Sequence, residues 1–395
     1  MGAKPDILKN IKPDERNNSF HTGKILALSI GHFIHDVYSS FLAPLLPLLI
    51  EKLSLTLTQA GFLSTIMQLP ALLNPYIGVL ADRISVRYFV ILAPAMTAVP
   101  MSLIGVAPSY SILLLLLFVT GISVSIFHVP APVMIAQLSA SRKGRGMSFF
   151  MTGGELARTI GPLVAVAGVS LFGLEGFYPV MIFGLTSTVW LYLKLRDVPV
   201  GDLHTKRNVS ALQTWHKLRY ILWPLTMILF SRGFMHAAMT AFLPTYINQE
   251  TGNLWLAGIA LTLFEVAGVA GVLTAGSMSD LFGRRKTLLV SLIGAPLCLF
   301  VFTLSGGWFR IAFLLVTGFT LLSTTPVMLA LVQEHGRHSP AAANGLFMMI
   351  SFIARSAVVV LVGFIADRIG LQATYLISAA MGLVGIPFIF RLPRK

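Results

Sequence analysis

Apolar residues in this chain recur in runs of about 20, separated by short polar or Gly- and Pro-containing segments. A helix needs about 20 mostly apolar residues to cross the hydrocarbon core of a bilayer. The runs are centred near residues 37, 69, 97, 124, 158, 183, 232, 267, 296, 321, 354 and 380. The pattern therefore predicts an all-α integral membrane protein with twelve transmembrane helices, numbered here as spans 1 to 12.

Composition and charge placement support this prediction. Hydrophobic residues make up 55% of the chain and charged residues 11%, whereas about 25% of the residues of a soluble domain are charged. The 29 Lys and Arg exceed the 15 Asp and Glu, but they concentrate in alternate loops. The intervening loops hold only Lys52, Arg310 and Arg368. The positive-inside rule predicts an inner-membrane protein with both termini in the cytoplasm, so the basic excess does not indicate a nucleic-acid partner.

A polar break near the middle of the chain predicts two halves. The expected segments are a cytoplasmic tail (1–23), a six-helix bundle (24–196), a cytoplasmic linker (197–216), a second six-helix bundle (217–392) and a cytoplasmic C-terminus (393–395). An offset of 200 residues places His32 and Asp36 on Arg232 and His236. This weak internal repeat indicates two bundles that run in the same direction. No signal peptide is recognisable in residues 1–23, and the single cysteine, Cys298, excludes an intramolecular disulfide.

Two loops carry a family signature, GVLADRISVR at residues 78–87 and GSMSDLFGRRK at residues 276–286. They resemble the conserved loop of the major facilitator superfamily, which implies two pseudo-symmetric six-helix bundles, a monomer and no cofactor. The resemblance also implies a cytoplasmic gate, in which an aspartate meets arginines and a helix N-terminus of the other half. The matching positions are Asp82, Arg83, Arg87, Asp280, Arg284 and Arg285.

Other segments resemble the fosmidomycin-resistance branch of that superfamily. They are HFIHDVYSSFLAPLLPLL (32–49), FHVP (127–130), GGELARTIGPL (153–163), QEHGRHSPAAANGLF (333–347) and GFIADRIG (363–370). This resemblance implies drug export driven by the proton gradient. The chain departs from the branch at Ala131, where a glutamate is usual after Pro130, and at several charged positions within the spans.

Asp36 is the first of these intramembrane charges. It lies twelve residues after Lys24, about 18 Å along a helix and thus near mid-membrane. His32 is one turn earlier on the same face. Burial disfavours a charged carboxylate and histidine titrates near neutrality, so the pair is a candidate proton site. The alternative is a structural pair that holds span 1 to a neighbour. His35, adjacent but expected to point elsewhere, is a candidate for substrate contact.

A second set of charges is predicted at the seam between the halves. Glu155 and Arg158 are i,i+3 neighbours on span 5 and can neutralise each other. Arg158 can alternatively bind an anionic substrate or exchange partners with Glu265 of span 8. Glu155 and Glu265 thus join Asp36 and His32 as candidates for proton coupling.

The remaining candidates are basic. Arg232 and His236 share one face of span 7, His128 lies next to Pro130 in span 4, and Arg355 lies in span 11. With Arg158 and His35, these residues are the predicted substrate site, although packing roles for His128 and Arg355 remain open. The arginines favour an anionic solute, and the resemblance leaves amphipathic drugs open.

The predicted function is proton-coupled export of a small molecule by alternating access, with the proton gradient as the energy source. A symporter or facilitator for a small organic anion would carry the same residues. A membrane-embedded enzyme is disfavoured, because the chain has neither a His-Glu-x-x-His motif nor a Gly-x-Ser-x-Gly elbow. No metal site is predicted, and the partners are the solute, protons and lipid.

Overall fold

The computed structural model describes residues 20–74, 77, 87–140, 142–198, 211–336 and 340–393. Within these residues the regular structure is helical, without a β-strand. The α-helices are Thr22–Ser39, Leu42–Leu53, Leu57–Gln68, Arg87–Leu103, Tyr110–His128, Ala131–Leu138, Lys143–Phe172, Met181–Leu195, Ala211–Ala237, Leu243–Thr251, Leu254–Phe282, Arg284–Leu304, Gly307–His335, Pro340–Leu383 and Ile386–Ile389. Short segments of 3₁₀-helix lie at Leu69–Leu73, Ile104–Val106 and Glu175–Val180, and a π-helical turn lies at Ala238–Phe242.

The twelve-helix prediction is confirmed. In the described part of the chain, nine helical segments are long and apolar enough to cross a bilayer. One of them, Ala343–Ile389, has 47 residues and holds both span 11 and span 12. The chain turns at Gly370, whose φ is 80°, and this turn divides the segment into the two spans. Span 2 begins with the shorter apolar helix Leu57–Leu73. Span 7 consists of Ala211–Ala237 and Leu243–Thr251, joined by a π-helical turn.

Spans 1 and 7 are interrupted at corresponding positions. The first helix of span 1 ends at Ser39 and the second begins at Leu42, two residues before Pro44. In span 7 the π-helical turn Ala238–Phe242 precedes Pro244. Proline has no N–H to donate to the preceding turn, so a helix bends or changes pitch before it. The 200-residue repeat is therefore visible in the local structure of the two spans.

The buried apolar residues form three clusters, whose arrangement defines two sides of the molecule. The side where Lys24, Arg142 and Arg284 lie is called the basic side. The other side of the molecule is called the opposite side. Two clusters lie toward the basic side, each within one half, and they centre on Leu28, Phe127 and Phe150 and on Leu222, Leu288 and Phe347. The third runs through both halves toward the opposite side and includes Phe41, Phe177, Phe242, Phe264 and Tyr375. The described halves therefore pack together on the opposite side and leave a central cleft between them on the basic side.

Glycines allow the halves to pack closely on the opposite side. A Cβ added at Gly363 of span 11 would lie 2.2 Å from the backbone oxygen of Leu57 in span 2, and one at Gly61 would lie 2.6 Å from the backbone oxygen of Val359. Small residues are common where membrane helices approach this closely. A backbone atom cannot rotate away as a side chain can, so both positions require glycine.

We expect Gly363→Ala to weaken this contact, because the new methyl group must push the two spans apart. Overpacking of this kind costs about 1–3 kcal/mol, so the apparent Tm of the detergent-solubilised protein should fall by several degrees. Gly345→Ala is the matched control, since it lies on the same long helix and a Cβ there meets no atom within 4 Å. A Tm for Gly363→Ala equal to that of the control would contradict the described packing.

Candidate functional site

A cluster of polar side chains surrounds Asp36 on the first-half wall of the cleft. His32 Nε2 lies 3.1 Å from Asp36 Oδ2, and His128 Nε2 lies 3.5 Å from Asp36 Oδ1. The predicted contact between His32 and Asp36 is present, and span 4 adds His128 to it. His35 does not point elsewhere as expected: its Nδ1 lies 2.8 Å from Asp36 Oδ1.

Aromatic rings and a glycine hold this cluster in place. The His32 ring stacks on Phe150 at 4.0 Å between centroids, and the His35 ring stacks on Phe127 at 4.4 Å. A Cβ at Gly154 of span 5 would lie 2.6 Å from the His32 ring. In the sequence, Gly153 and Gly154 of span 5 contributed only to the family resemblance. A glycine pair within a span is, however, the sequence signal from which the close approach of the His32 ring could have been predicted. Because His35 is fully buried, it contacts Asp36 rather than the cleft.

Hydrogen bonds to backbone carbonyls orient the two ring systems. His32 Nδ1 donates to the Phe150 oxygen over 2.8 Å, and His128 Nδ1 donates to the Val124 oxygen over 3.0 Å. A carbonyl oxygen only accepts, so both Nδ1 atoms carry hydrogen, and in a neutral ring Nε2 then presents a lone pair. The two Nε2 atoms lie 3.3 Å apart. The cluster thus points two nitrogen atoms and a carboxylate at one another, an arrangement that a proton or a metal ion can stabilise.

The second group of charges lies where spans 5 and 8 meet. Arg158 forms an ion pair with Glu155 of its own helix, and its charge also interacts with Glu265 of span 8 in the other half. The Arg158 side chain is 52% exposed although it lies deep within span 5, so it faces the cleft. The expected ion pair is present, and Arg158 has acidic neighbours in both halves.

The second-half wall of the cleft carries basic groups without acidic partners among the described residues. Arg232 is 5% exposed, donates to the Leu321 oxygen over 3.2 Å and leaves its Nε without a hydrogen bond. The charged group that acts on it is the exposed Arg355 of span 11. His236, one turn from Arg232, lies near both arginines and contacts Thr240 at 3.2 Å. Arg232, His236 and Arg355 therefore form one basic surface, and its role in substrate binding stays a prediction.

The predicted gate residues on the basic side pair within their own halves. Arg284 lies 2.5 Å from Asp280 and 2.9 Å from Glu334, and Arg285 lies over the Phe390 ring at 4.9 Å. In the first half, Arg87 donates to the Val198 oxygen. Asp82 and Arg83 fall outside the described residues. A contact between the halves at this gate therefore stays a prediction, to be sought in a state whose basic side is closed.

A polar contact that the sequence analysis missed joins the halves on the opposite side. Asp367 of span 11 accepts hydrogen bonds from the backbone N–H groups of Leu57 and Thr58, at 2.6 and 2.9 Å, and from the Thr58 hydroxyl. Leu57 and Thr58 begin the helix of span 2, where free N–H groups and the helix dipole favour a carboxylate. Thr65 adds a hydrogen bond to the Ser356 oxygen. The aspartate in GFIADRIG was the available signal, but nothing in the local sequence indicated which helix it caps.

The sequence model of the Major Facilitator Superfamily matches residues 28–260 and 247–395. The chain belongs to this superfamily. It is 26% identical over 375 residues to the fosmidomycin resistance protein of Escherichia coli (strain K12), a match that covers 93% of this chain and 92% of that protein. It is 27% identical over 291 residues to the multidrug resistance protein MdtG of Salmonella paratyphi C, covering 68% and 70% of the two chains.

Solved structures have the same fold. A bacterial homolog of the human lysosomal transporter Spinster, in an inward-facing and occupied conformation, superposes with a TM-score of 0.83 at 15% identity, covering 94% of this chain and 96% of that one. The nucleoside transporter NupG superposes with a TM-score of 0.75 at 13% identity, covering 94% and 100%. The resemblance inferred from the motifs is confirmed, and the family places this multi-pass membrane protein among transporters rather than enzymes.

We expect Asp367→Asn to favour opening of the opposite side, because it removes a charged acceptor from a helix N-terminus. Hydrogen bonds to charged groups contribute about 1.5–3 kcal/mol, so the ratio of open to closed molecules should rise about tenfold or more. Spin labels at Glu51→Cys and Gln249→Cys, in a Cys298→Ala background, report this as a larger population at long distance. Arg368→Gln is the control, since in the described part of the chain Arg368 donates to the Phe364 oxygen of its own helix. Identical distance distributions for Asp367→Asn and the control would refute a role in closure.

Proposed function

We propose that this protein is a proton-coupled secondary transporter of the inner membrane that exports a small anionic or amphipathic molecule by alternating access. The basic side, with both termini, is the cytoplasmic side in this proposal. One chain is sufficient, and the proton gradient supplies the energy without a cofactor. The names of two relatives, which refer to fosmidomycin resistance and multidrug resistance, support export of small molecules.

One observation carries the proposal: Arg158 faces the cleft between Glu155 of its own half and Glu265 of the other half. While Glu265 is ionised, it attracts Arg158 across the seam. When an anionic solute occupies Arg158, Glu265 loses this partner, and an ionised carboxylate without a partner is unfavourable in a low-dielectric site. Glu265 then takes up a proton, so solute binding and proton binding are linked through one arginine.

The basic surface of the second half supports an anionic substrate. Arg232 and Arg355 repel each other electrostatically, and Arg232 has an Nε that no described group accepts. A carboxylate, phosphonate or similar group would satisfy these donors and relieve the repulsion. His236 and the partly exposed His128 are the further substrate contacts in this proposal. The auxiliary sites for the proton are Asp36, His32 and Glu155. The coupling of solute to proton depends on Glu265.

Proton coupling is tested in proteoliposomes that contain an interior pH dye. A panel with fosmidomycin and several cationic drugs is offered to the wild type, to Glu265→Gln and to the control Glu51→Gln, whose side chain is exposed outside the cleft. We expect one panel member to drive proton movement in the wild type and the control, and Glu265→Gln to reduce that movement at least about tenfold. Exchange of labelled for unlabelled solute should persist in Glu265→Gln, because exchange needs no net proton transfer.

Other outcomes assign the function differently. Solute movement by the wild type without proton movement would indicate a facilitator, and proton movement in the same direction as the solute would indicate a symporter. Solute-driven proton movement in Glu265→Gln equal to that of the wild type would show that Glu265 is not on the proton path.

The anion-binding role of the second half is tested with Arg355→Gln. Loss of one charged donor should weaken binding of an anionic panel member about 10- to 100-fold, equivalent to about 1.4–2.8 kcal/mol, and leave binding of cationic members unchanged. Scintillation proximity binding to the purified protein measures this. Arg368→Gln, on the opposite side of the same helix, is the control. Equal loss for cations and anions would indicate that Arg355 maintains the fold rather than binding the anion.

A further inference from the structure

We propose that His32, Asp36 and His128 bind a divalent transition-metal ion of the zinc class on the first-half wall of the cleft. The inference goes beyond the transport proposal and does not depend on it, since binding requires neither a gradient nor a solute. The sequence predicted no metal site, because the three ligands come from two spans almost 100 residues apart. Only the packing of span 1 against span 4 brings them together.

The ligand atoms already have the spacing of a metal site. His32 Nε2 lies 3.1 Å from Asp36 Oδ2 and 3.3 Å from His128 Nε2, and His128 Nε2 lies 3.5 Å from Asp36 Oδ1. Ligands in a tetrahedral zinc site, with bonds of about 2.0–2.1 Å, are about 3.3 Å apart. An ion can therefore be placed among the three side chains with small adjustments.

Groups around the ligands favour metal binding. In metal sites, a coordinating histidine donates its other N–H to a carbonyl or carboxylate, which fixes the tautomer and the ring orientation. Both histidines do this here, His32 toward the Phe150 oxygen and His128 toward the Val124 oxygen. Asp36 is oriented in turn by His35, whose Nδ1 lies 2.8 Å from Oδ1. Two neutral rings would otherwise direct lone pairs at each other across 3.3 Å, which is unfavourable unless a cation lies between them.

The donor set and its exposure indicate the class of ion. Two imidazole nitrogens and one carboxylate suit Zn²⁺, Cu²⁺ or Ni²⁺, whereas Mg²⁺ and Ca²⁺ prefer oxygen ligands. The side chains of His32 and Asp36 are 4% and 11% exposed, but that of His128 is 37% exposed. The ion can therefore enter from the cleft, and its fourth position remains open to water.

A bound ion would change the electrostatics of the cleft. Asp36 interacts with Arg158, so a divalent ion would replace an attractive neighbour of that arginine with a repulsive one. The competing occupant is a proton on His128, which would then donate to Asp36.

Binding is tested with the purified full-length chain, freed of any affinity tag, in detergent. We expect calorimetry to give one Zn²⁺ per chain with a Kd on the order of 1 μM or tighter at pH 7.5, and Co²⁺ to give the visible absorption of a four-coordinate site. Asp36→Asn and His128→Gln should each weaken Zn²⁺ binding at least about tenfold. His335→Gln is the control, since this histidine lies at the basic end of span 10 and should bind zinc like the wild type.

Two results would overturn the proposal. One is Zn²⁺ binding weaker than about 1 mM in the wild type, which would leave the cluster as a proton site only. The other is saturable binding that both substitutions leave unchanged, which would place the ion elsewhere. Because His128 is partly exposed, His128→Gln decides the outcome if Asp36→Asn does not fold. Thermal unfolding without metal identifies that case.

Discussion

The free energy of placing a charge in hydrocarbon limits where each polar residue of this chain can lie. An ionised side chain at the centre of a bilayer costs roughly 2.5–3.5 kcal/mol on insertion scales. The spans nevertheless carry Asp36, Glu155, Glu265 and three arginines. These groups act on one another electrostatically and are therefore collected around the cleft between the halves. A charge costs less around a cleft than against lipid, because water can reach it there.

The same constraint explains how the halves separate. Among the described residues, a continuous apolar core runs through both halves on the opposite side, whereas each half keeps its own core on the basic side. On the opposite side, glycine contacts and the cap of Asp367 on span 2 add to this shared apolar core. Opening this side therefore separates both the polar cap and part of the shared apolar core.

The sequence predicted most of the fold, because hydrophobic length and charge asymmetry are local properties. The spans and the pair His32–Asp36 follow from short-range spacing, and the repeat follows from residues that match at an offset of 200 positions. Sequence reasoning missed His128 as a neighbour of Asp36, Gly154 as the position that admits the His32 ring, and Asp367 as a cap. Each of these contacts depends on which spans touch and at which level of the membrane they do so. The packing of distant segments decides this, and the residue spacing within one helix does not show it.

The two walls of the cleft differ in the ligands that the two proposals assign to them. The first half presents lone pairs and a carboxylate from His32, Asp36 and His128, which suit a cation. Arg158 of the same half faces the cleft beside them and suits an anion. The second half carries the guanidinium groups of the buried Arg232 and the exposed Arg355, which suit an anion. Opposite walls attract more strongly as they approach, because the interaction of two charges grows as distance falls and water is displaced. On the transport proposal, a ligand bound to either wall reduces this attraction. Ligand binding in the cleft and closure of the cleft are therefore coupled by charge, without a separate conformational switch.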